Sequence, residues 1–295
     1  MVNAQAIDDE MSAAALARLP AIEPVGSLPD GIETFMADVG GQRLYCAVRT
    51  PRRVEGPPLL LFNGIGANLE LAFPFMKALE HTRTIIFDIP GVGGSPLPAL
   101  PYRAGTVARW SKALIGLLGF DRVDVSGISW GGGMAQQFAR QYPRATRRLV
   151  LAATSSGWTM VPGKPAVLSK MASFRRYTDP GYMREIAADI YGGDFRQARE
   201  AIAPHIRAMR PASGRGYALQ LLAMTGWTSL PWLWRLKMPT LVMAGSDDPL
   251  VPLANARLLA RAIPDATLHT VDNGHLFMVT RPQESAATVE AFLRA

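Results

Sequence analysis

Short apolar runs alternate with segments of helical periodicity along most of this chain. Six of the runs are bounded by turn residues, and we predict them to be strands: residues 58–62, 83–89, 123–128, 147–153, 240–245 and 267–271. Helical spacing of apolar residues follows at 107–119, 255–263 and 285–295. Because buried strands alternating with helices are typical of a sheet covered on both faces, the pattern predicts an α/β fold with a mostly parallel, doubly wound sheet.

Two segments depart from this alternation. Residues 35–49 alternate apolar and polar positions on both sides of a Gly-Gly pair, which predicts a β-hairpin. Residues 155–235 are rich in Pro, Met and aromatic residues and show no clear strand, so we predict an inserted helical cap there. The predicted core is then 31–154 with 236–295, preceded by an N-terminal extension, residues 1–30, of unknown role.

A serine stands where one predicted strand turns directly into a helix. The stretch VDVSGISWGGGMAQQFA places Ser129 between glycines, after the strand 123–128 and before a helix over about residues 130–142. Such a turn forces its central residue into strained backbone geometry, and flanking glycines remove the side-chain clashes. The pattern indicates a nucleophile elbow that presents the Ser129 hydroxyl above the sheet.

A base and an acid that could activate this serine follow the last two predicted strands. His275 lies in the turn VDNGHLF, and Asp248 lies in GSDDPLVP, where we give Asp247 a turn-capping role. The order Ser129, Asp248, His275 is the order of catalytic residues in α/β-hydrolases, and all three follow strand ends, where open α/β sheets place their sites. The other histidines, His81, His205 and His269, are expected to be packed or solvated.

Two backbone N–H groups should stabilise the oxyanion that forms during acyl transfer. We assign them to Trp130, the residue after the nucleophile, and to Ile65, in the loop after the strand 58–62. This chain has Asn63-Gly64 where members of this fold more commonly have a His-Gly pair. The exchange of histidine for asparagine leaves the backbone N–H donor in place. Asp88, in FDIPGVGGS, is expected to hold its own loop rather than to serve as a second catalytic acid.

Length and composition exclude several classes of protein. The chain has 295 residues, of which 48% are hydrophobic, yet no apolar run approaches the roughly 18 residues that span a bilayer. Three acidic residues precede the first arginine, an order unlike a secretory signal, so we expect a cytoplasmic protein. Its one cysteine, Cys46, excludes an internal disulfide and fits a reducing compartment.

The positive charge is concentrated in the predicted cap. The chain has a net charge of +7, and residues 155–235 hold 11 Lys and Arg against 5 Asp and Glu, a net of +6. The same segment contains four of the six tryptophans. Because no nucleic-acid-binding pattern accompanies this charge, we do not expect a nucleic-acid partner.

At these motifs the chain resembles the intracellular depolymerases of medium-chain-length poly(3-hydroxyalkanoate). The matching stretches run from about residue 32 to the C-terminus, and several lie in the insertion: LLLFNGIGANLELAFPF, FDIPGVGGS, GISWGGGMAQQFA, RRLVLAAT, MVPGKPAVL, MASFRRY, IYGGDFR, GWTSLPWL, PTLVMAGSDDPLVPL and DNGHLFMVTRP. The insertion carries most weight, because the sheet motifs are shared with many other hydrolases.

The resemblance implies an α/β-hydrolase that cleaves esters at the surface of polyester granules, without metal or cofactor. It also implies Ser129 as nucleophile, His275 as base and Asp248 as the acid that orients the base. The inserted cap would lie over the site, and its tryptophans Trp158, Trp227 and Trp232 are predicted to contact substrate. Met160, Met171, Met183 and Met224 add adaptable apolar surface.

Several other functions remain open or are disfavoured. A general carboxylesterase for soluble acyl esters is the main alternative, and a binding protein without catalysis is the alternative of another class. Dehalogenase and epoxide hydrolase chemistry need a carboxylate where Ser129 stands. A secreted depolymerase should carry a signal peptide. The oligomeric state does not follow from the sequence.

Overall fold

The computed structural model describes residues 11–173, 175, 179–198, 202–210 and 213–295. Within these residues the strands are β1 (Ile22–Leu28), β2 (Ile32–Val39), β3 (Gln42–Arg49), β4 (Leu59–Phe62), β5 (Thr84–Phe87), β6 (Val123–Ile128), β7 (Thr146–Ala152), β8 (Thr240–Gly245) and β9 (Ala266–Val271). Each of the six predicted core strands is present with its ends within two residues of the prediction. The predicted hairpin is β2 and β3.

The strands form one sheet in the order β1-β2-β3-β5-β4-β6-β7-β8-β9. The strands β1, β2 and β3 are antiparallel to their neighbours, whereas β5, β4, β6, β7, β8 and β9 are mutually parallel. The predicted class, a mostly parallel α/β sheet, is therefore confirmed. Because parallel strands end at the same edge, the loops after β4, β6, β8 and β9 meet there.

The helices fall into those that cover the sheet and those of the insertion. They are α1 (Ala13–Leu16), α2 (Phe73–Ala78), α3 (Ala104–Leu117), α4 (Trp130–Gln141), α5 (Pro165–Ala172), α6 (Pro180–Tyr191), α7 (Asp194–Gln197), α8 (Ala203–Ala208), α9 (Gly214–Met224), α10 (Leu253–Ala262), α11 (Phe277–Thr280) and α12 (Pro282–Arg294). Two 3-10 helices, Leu69–Ala72 and Leu230–Arg235, complete the described elements.

Apolar side chains pack on both faces of the sheet. On one face, α3, α4 and α10 contribute residues such as Leu114, Phe138 and Leu259 to a core with the inward side chains of the strands. On the other face, α2 and α12 contribute Phe75 and Val289. Burial on both faces explains why the central strands are continuous apolar runs in the sequence.

The N-terminal extension predicted over residues 1–30 includes β1, which belongs to the sheet. Six of the seven residues of β1 are exposed, and the pairing with β2 shifts register between Pro24 and Gly26. An exposed edge strand that contains Pro and Gly carries almost no hydrophobic signal. Before it, Leu16 of α1 is fully buried in the core.

The described secondary-structure elements between β7 and β8 are helices, apart from one isolated antiparallel bridge between Gly157 and Thr228. Its helices have a small apolar core that includes Val167, Met183 and Ile190. The bridge joins the two ends of the segment near the sheet. The limits of the cap, residues 155–235, remain a prediction.

Candidate active site

Ser129 occupies the turn between β6 and α4 with φ 56° and ψ −120°, a backbone conformation that L-residues rarely adopt. Its N–H donates to the carbonyl of Ala152 on β7 at 2.8 Å, which anchors the turn. A Cβ atom at Gly127 would clash with the carbonyl of Gly131, and one at Gly131 would clash with that of Phe62. The two glycines are therefore required by close backbone approach, as the sequence pattern indicates.

His275 lies between Ser129 and Asp248 in hydrogen-bonding distance of both. Its Nδ1 is 2.7 Å from Asp248 Oδ2, and its Nε2 is 3.0 Å from Ser129 Oγ. Because a carboxylate only accepts, Nδ1–H donates to Asp248, and Nε2 is left to accept the hydroxyl hydrogen of Ser129. The structure thus brings together the three side chains that the sequence singles out, although they lie 27 and 146 positions apart along the chain.

The carboxylate of Asp248 is held on both sides. Its Oδ1 accepts the backbone N–H groups of Leu250 at 2.9 Å and Val251 at 2.8 Å, while Oδ2 faces His275. Only 6% of Asp248 and 3% of His275 are exposed. These contacts hold the carboxylate and the ring in one orientation, as proton transfer from a serine requires.

The loop after β4 packs directly against the serine. A Cβ atom at Gly64 would lie 3.8 Å from Ser129 Cβ. The side chain of Asn63 holds this loop, because its Oδ1 accepts Gly64 N–H at 3.1 Å and its Nδ2 donates to the carbonyl of Asn68 at 2.9 Å. Ile65 lines the same cavities as Ser129. The two residues predicted to carry oxyanion donors, Ile65 and Trp130, therefore both adjoin Ser129, and their role stays a prediction.

Asp88 ties this loop to the loop after β5, the structural role expected for it. Its Oδ1 accepts Leu69 N–H at 2.6 Å, its Oδ2 accepts Gly94 N–H at 2.7 Å, and its carbonyl accepts the Ser95 hydroxyl at 2.7 Å. Burial raises the pKa of Asp88 to about 7, although the N–H of Gly94 favours its ionised form.

The substitution Asp88→Asn is expected to lower the free energy of unfolding by about 1–3 kcal/mol, because one buried N–H then faces an amide NH₂. The loss should be larger at pH 5 than at pH 8. Since the folded pKa lies above the unfolded value near 3.9, the folded state alone keeps this proton between the two values, and stability from Asp88 falls as pH rises through that window. Asparagine does not titrate there.

Urea unfolding of both proteins at pH 5 and pH 8 measures this difference. The exposed Asp121→Asn is the matched control and should change neither value by more than about 0.5 kcal/mol. A destabilisation by Asp88→Asn that is equal or larger at pH 8 contradicts the raised pKa.

The inserted segment forms hydrogen bonds with the two loops that carry Asp248 and His275. The backbone carbonyl of Tyr191 accepts His275 N–H at 2.7 Å. Asp247 Oδ2 accepts Gly193 N–H at 2.8 Å and Arg196 Nε at 2.7 Å. The turn-capping role predicted for Asp247 is therefore wrong, because the neighbouring Asp248 takes the N–H groups of that turn and Asp247 points to the insertion.

Further contacts join the inserted segment to the residues around His275. Asn273 exchanges two hydrogen bonds with Asp194, accepting its N–H at 3.0 Å and donating to its carboxylate at 2.7 Å. Arg281 also donates to the Asp194 carboxylate, at 2.8 Å. The ring of Tyr191 stacks on that of His275, with centroids 6.2 Å apart and an angle of 7°. The insertion thus helps to hold His275 in position.

Two largely apolar cavities meet at Ser129. Their empty volumes, including space open to solvent, are about 710 Å³ and 1030 Å³. The first cavity lies on the His275 side and the second on the Trp130 side, and Ile65, Met171 and Leu250 line both. Apolar surface therefore lies on both sides of the serine hydroxyl.

The predicted substrate-contacting residues differ in their placement. Trp158 and Trp227 line the second cavity together with Met160 and Met224, but Trp232 lines neither cavity. Its ring instead packs on that of Trp227 at 5.9 Å. The 3-10 helix turns Trp232 toward the core and leaves Trp234 exposed, so the predicted substrate contact of Trp232 does not fit this placement.

One of the methionines predicted to add apolar surface, Met183, also lies away from the two cavities. Two other residues, Tyr191 and His205, line the first cavity although no catalytic or substrate role was predicted for them. Met183 is packed inside the insertion. Tyr191 and His205 line the first cavity, and their rings meet edge to face at 6.2 Å. His205 is buried as expected, but it faces the cavity. The sequence feature that could have identified Tyr191 is its position in the motif IYGGDFR.

Neither a metal cluster nor a membrane-spanning helix is found in the described part of the chain. The described residues contain no group of three or more His, Cys, Asp or Glu side chains that could hold a metal ion. Among the same residues, no helix combines the length and apolar character needed to cross a bilayer.

Comparison with known proteins gives a consistent result. The sequence model of the alpha/beta hydrolase fold matches residues 57–201 and 206–282. The chain is 50% identical over 258 residues to the poly(3-hydroxyalkanoate) depolymerase of Ectopseudomonas oleovorans, covering 87% of this chain and 91% of that protein. It is 31% identical to a pimeloyl-(acyl-carrier protein) methyl ester esterase of Aromatoleum aromaticum, covering 81% and 98%.

Solved structures share the fold. A hydrolase from Pseudomonas aeruginosa PA01 is 28% identical with a TM-score of 0.71, over 93% of this chain and 98% of that one. The enol-lactonase of Burkholderia xenovorans LB400 has a TM-score of 0.75 at 24% identity, over 88% and 100%, a likeness of fold alone.

Proposed function

This chain belongs to the alpha/beta-hydrolase family, and we propose that it is a serine ester hydrolase that depolymerises medium-chain-length poly(3-hydroxyalkanoate). Ser129 is the nucleophile, His275 the general base and Asp248 the acid that orients the base. The 50% identity to a poly(3-hydroxyalkanoate) depolymerase supports the substrate class. The contacts of His275 with both partners support the assignment of roles.

The reaction begins with attack of Ser129 Oγ on the ester carbonyl carbon. His275 Nε2 accepts the hydroxyl proton as the C–O bond forms, and Asp248 stabilises the imidazolium that results. Negative charge develops on the carbonyl oxygen, where the backbone N–H groups of Ile65 and Trp130 stabilise it. Cleavage of the ester C–O bond releases the alcohol end of the polymer, which takes the proton from His275.

Water completes the cycle by attacking the acyl-enzyme. His275 removes a proton from the water, a second tetrahedral intermediate forms, and its collapse returns the proton to Ser129 Oγ. One ester bond is thereby replaced by a carboxylic acid on one fragment and a hydroxyl on the other. Repeated cleavage gives 3-hydroxy acids or short oligomers.

The two cavities that meet at Ser129 are the observation that carries the polymer assignment. A polyester chain needs space on both sides of the bond that is cleaved, and the apolar lining suits alkyl side chains. Residues such as Leu71, Phe75 and Met278 line the first cavity, and Trp158, Met160 and Trp227 line the second. A methyl ester, by contrast, needs room for a chain on the acyl side only.

The outer surface of the insertion fits adsorption to a polyester granule. Trp158 and Trp234 are 75% and 55% exposed, and Leu168, Leu221 and Leu230 are also exposed. The guanidinium of Arg235 lies 4.8 Å from the centre of the Trp234 ring. Apolar side chains interspersed with the net positive charge of this segment would bind a surface that carries anionic lipid or acid groups.

Clearing of a polymer latex tests the substrate. Wild type is expected to clear a medium-chain poly(3-hydroxyalkanoate) latex, while Ser129→Ala leaves it turbid, because the acyl-enzyme cannot form. Turbidity and released acid are measured with short-chain and medium-chain polymers side by side. Turnover of 4-nitrophenyl octanoate without clearing of the medium-chain latex would favour the alternative, a general carboxylesterase for soluble medium-chain acyl esters.

The same latex measures adsorption. Charge reversal at the exposed Lys164, Arg215 and Arg235 should reduce the protein that sediments with the latex, while turnover of the soluble ester stays within about twofold, because a few surface charges contribute mainly to association. Reversal of the exposed Arg122, Arg144 and Arg261, outside the cap, changes the net charge by the same amount and is the matched control. Equal adsorption of all variants contradicts the granule surface proposed for the cap.

A further inference from the structure

One buried residue of the inserted segment contacts both the loop that carries Ile65 and the side chain of Trp130. Gln220 lies in α9 and is 0% exposed. Its side-chain Oε1 accepts Gly66 N–H at 2.6 Å, and its backbone carbonyl accepts the indole Nε1–H of Trp130 at 3.2 Å. A single residue of the insertion thus connects the neighbour of Ile65 with Trp130 itself.

The contact with Gly66 fixes a peptide group that could otherwise rotate. Ala67 N–H donates to the carbonyl of Gly64 at 3.2 Å, which closes a turn with Ile65 and Gly66 at its centre. Gly66 has φ 67°, as the third residue of a type II turn requires. Type I and type II turns differ by rotation of this central peptide group, whose N–H is the one that Gln220 accepts. Gln220 therefore selects the orientation of the peptide that follows Ile65 N–H.

The helix that carries Gln220 is anchored at both ends. At its start, Gly216 packs so closely on Gly91 that a Cβ atom would clash with the Gly91 carbonyl. At its end, Arg103 donates to the carbonyls of Leu222 at 3.0 Å and Thr225 at 3.1 Å. Because both anchors lie on the core, Gln220 is held in a defined position relative to the elbow.

We propose that Gln220 is a positioning residue for the oxyanion site: its side chain holds the loop that carries the Ile65 N–H, and its backbone carbonyl holds the side chain of Trp130. The inference rests on the proposed function only as far as ester cleavage by Ser129. Donors that are placed before the reaction stabilise the oxyanion without reorganisation, so misplacing them raises the barrier more than it weakens substrate binding.

Two substitutions of matched length test this role. Gln220→Met removes the side-chain acceptor, whereas Gln220→Glu keeps an oxygen for Gly66 N–H. The exposed Ala218→Gln, on the same helix, is the control. The assays are kcat and KM with 4-nitrophenyl octanoate, the Kd of an alkylboronic acid that forms a tetrahedral adduct with Ser129, and Tm.

Gln220→Met is expected to lower kcat by about 10- to 100-fold, less than the loss of a whole oxyanion donor, with KM changed by less than about threefold. The Kd of the boronic acid should rise by a similar factor to kcat/KM, since its adduct uses the same donors. Gln220→Glu should recover at least about threefold of the lost kcat, and Ala218→Gln should behave as wild type. If Gln220 had only a structural role, Gln220→Met would lower Tm without lowering both kcat and the affinity for the boronic acid at a nearly unchanged KM.

Two outcomes overturn the proposal: a kcat of Gln220→Met within twofold of wild type, or a lowered kcat with unchanged boronic acid affinity. If Gln220→Met does not fold, Trp130→Phe removes the other contact and should shift the same two readouts in the same direction; no shift counts against the proposal. A wild type that cleaves the soluble ester without clearing polyester overturns the polyester assignment and leaves Gln220 in place.

Discussion

Ser129→Ala is expected to reduce kcat for 4-nitrophenyl octanoate by about 10⁴-fold or more, because the hydroxyl that contacts His275 Nε2 is lost and the acyl-enzyme cannot form. The fold should be unaffected, since the change removes one oxygen from a half-buried side chain. Steady-state kinetics measure the loss. A fluorophosphonate, which labels activated serines, should add one equivalent to wild type and none to the variant, as read by mass spectrometry.

Ser155→Ala is the matched control for this experiment. Ser155 lines the second cavity beside Ser129 but is not in contact with His275, so its loss should change kcat by no more than a few-fold. Retention of more than about 1% of the wild-type kcat by Ser129→Ala, or labelling of that variant by the fluorophosphonate, rules out Ser129 as the nucleophile.

Asp248→Asn is expected to lower kcat by about 10³- to 10⁴-fold at neutral pH through the tautomer of His275. Because Leu250 and Val251 both donate to Oδ1, the amide oxygen takes that position and the NH₂ group faces His275 Nδ1. The ring must then accept at Nδ1 and carry its proton on Nε2. In that state it cannot take the proton of Ser129, although every heavy atom stays in place.

Asp247→Asn provides the comparison between two neighbouring carboxylates. Asp247 binds Gly193 and Arg196 of the insertion rather than His275, so its loss should cost less than about tenfold in kcat. Kinetics and thermal unfolding of both variants are measured together. The reverse order of effects on kcat would move the role of the acid from Asp248 to Asp247.

Much of the fold could be predicted because burial leaves a simple pattern. The strands at the centre of the sheet are apolar on both faces, so they appear as short continuous runs with glycines and prolines around them. The edge strand β1 has no such pattern, since it buries almost nothing and contains Pro24 and Gly26. Prediction failed where side chains face solvent and backbone pairing alone defines the strand.

The residues of the site likewise divide into those that the sequence identifies and those that only the structure places. Ser129 could be identified because its turn demands glycines at 127 and 131, and His275 and Asp248 because each follows a strand end. Trp232 and Trp234 are two positions apart in one short helix, and no local pattern says which of them packs on the core and which faces solvent. Which aspartate of the pair contacts His275 likewise depends on how one turn closes.

The sequence by itself determined the α/β class, the serine elbow and the order of the three candidate catalytic residues, because strand burial and backbone strain restrict which residue types can stand at each position. Only the tertiary structure decided that the insertion contacts the machinery, through Tyr191 on the loop of His275 and Gln220 on the loop of Ile65. Those contacts join residues 84 and 154 positions apart. Hydrogen bonds across such separations depend on how helices dock, which leaves no periodic signal in the chain.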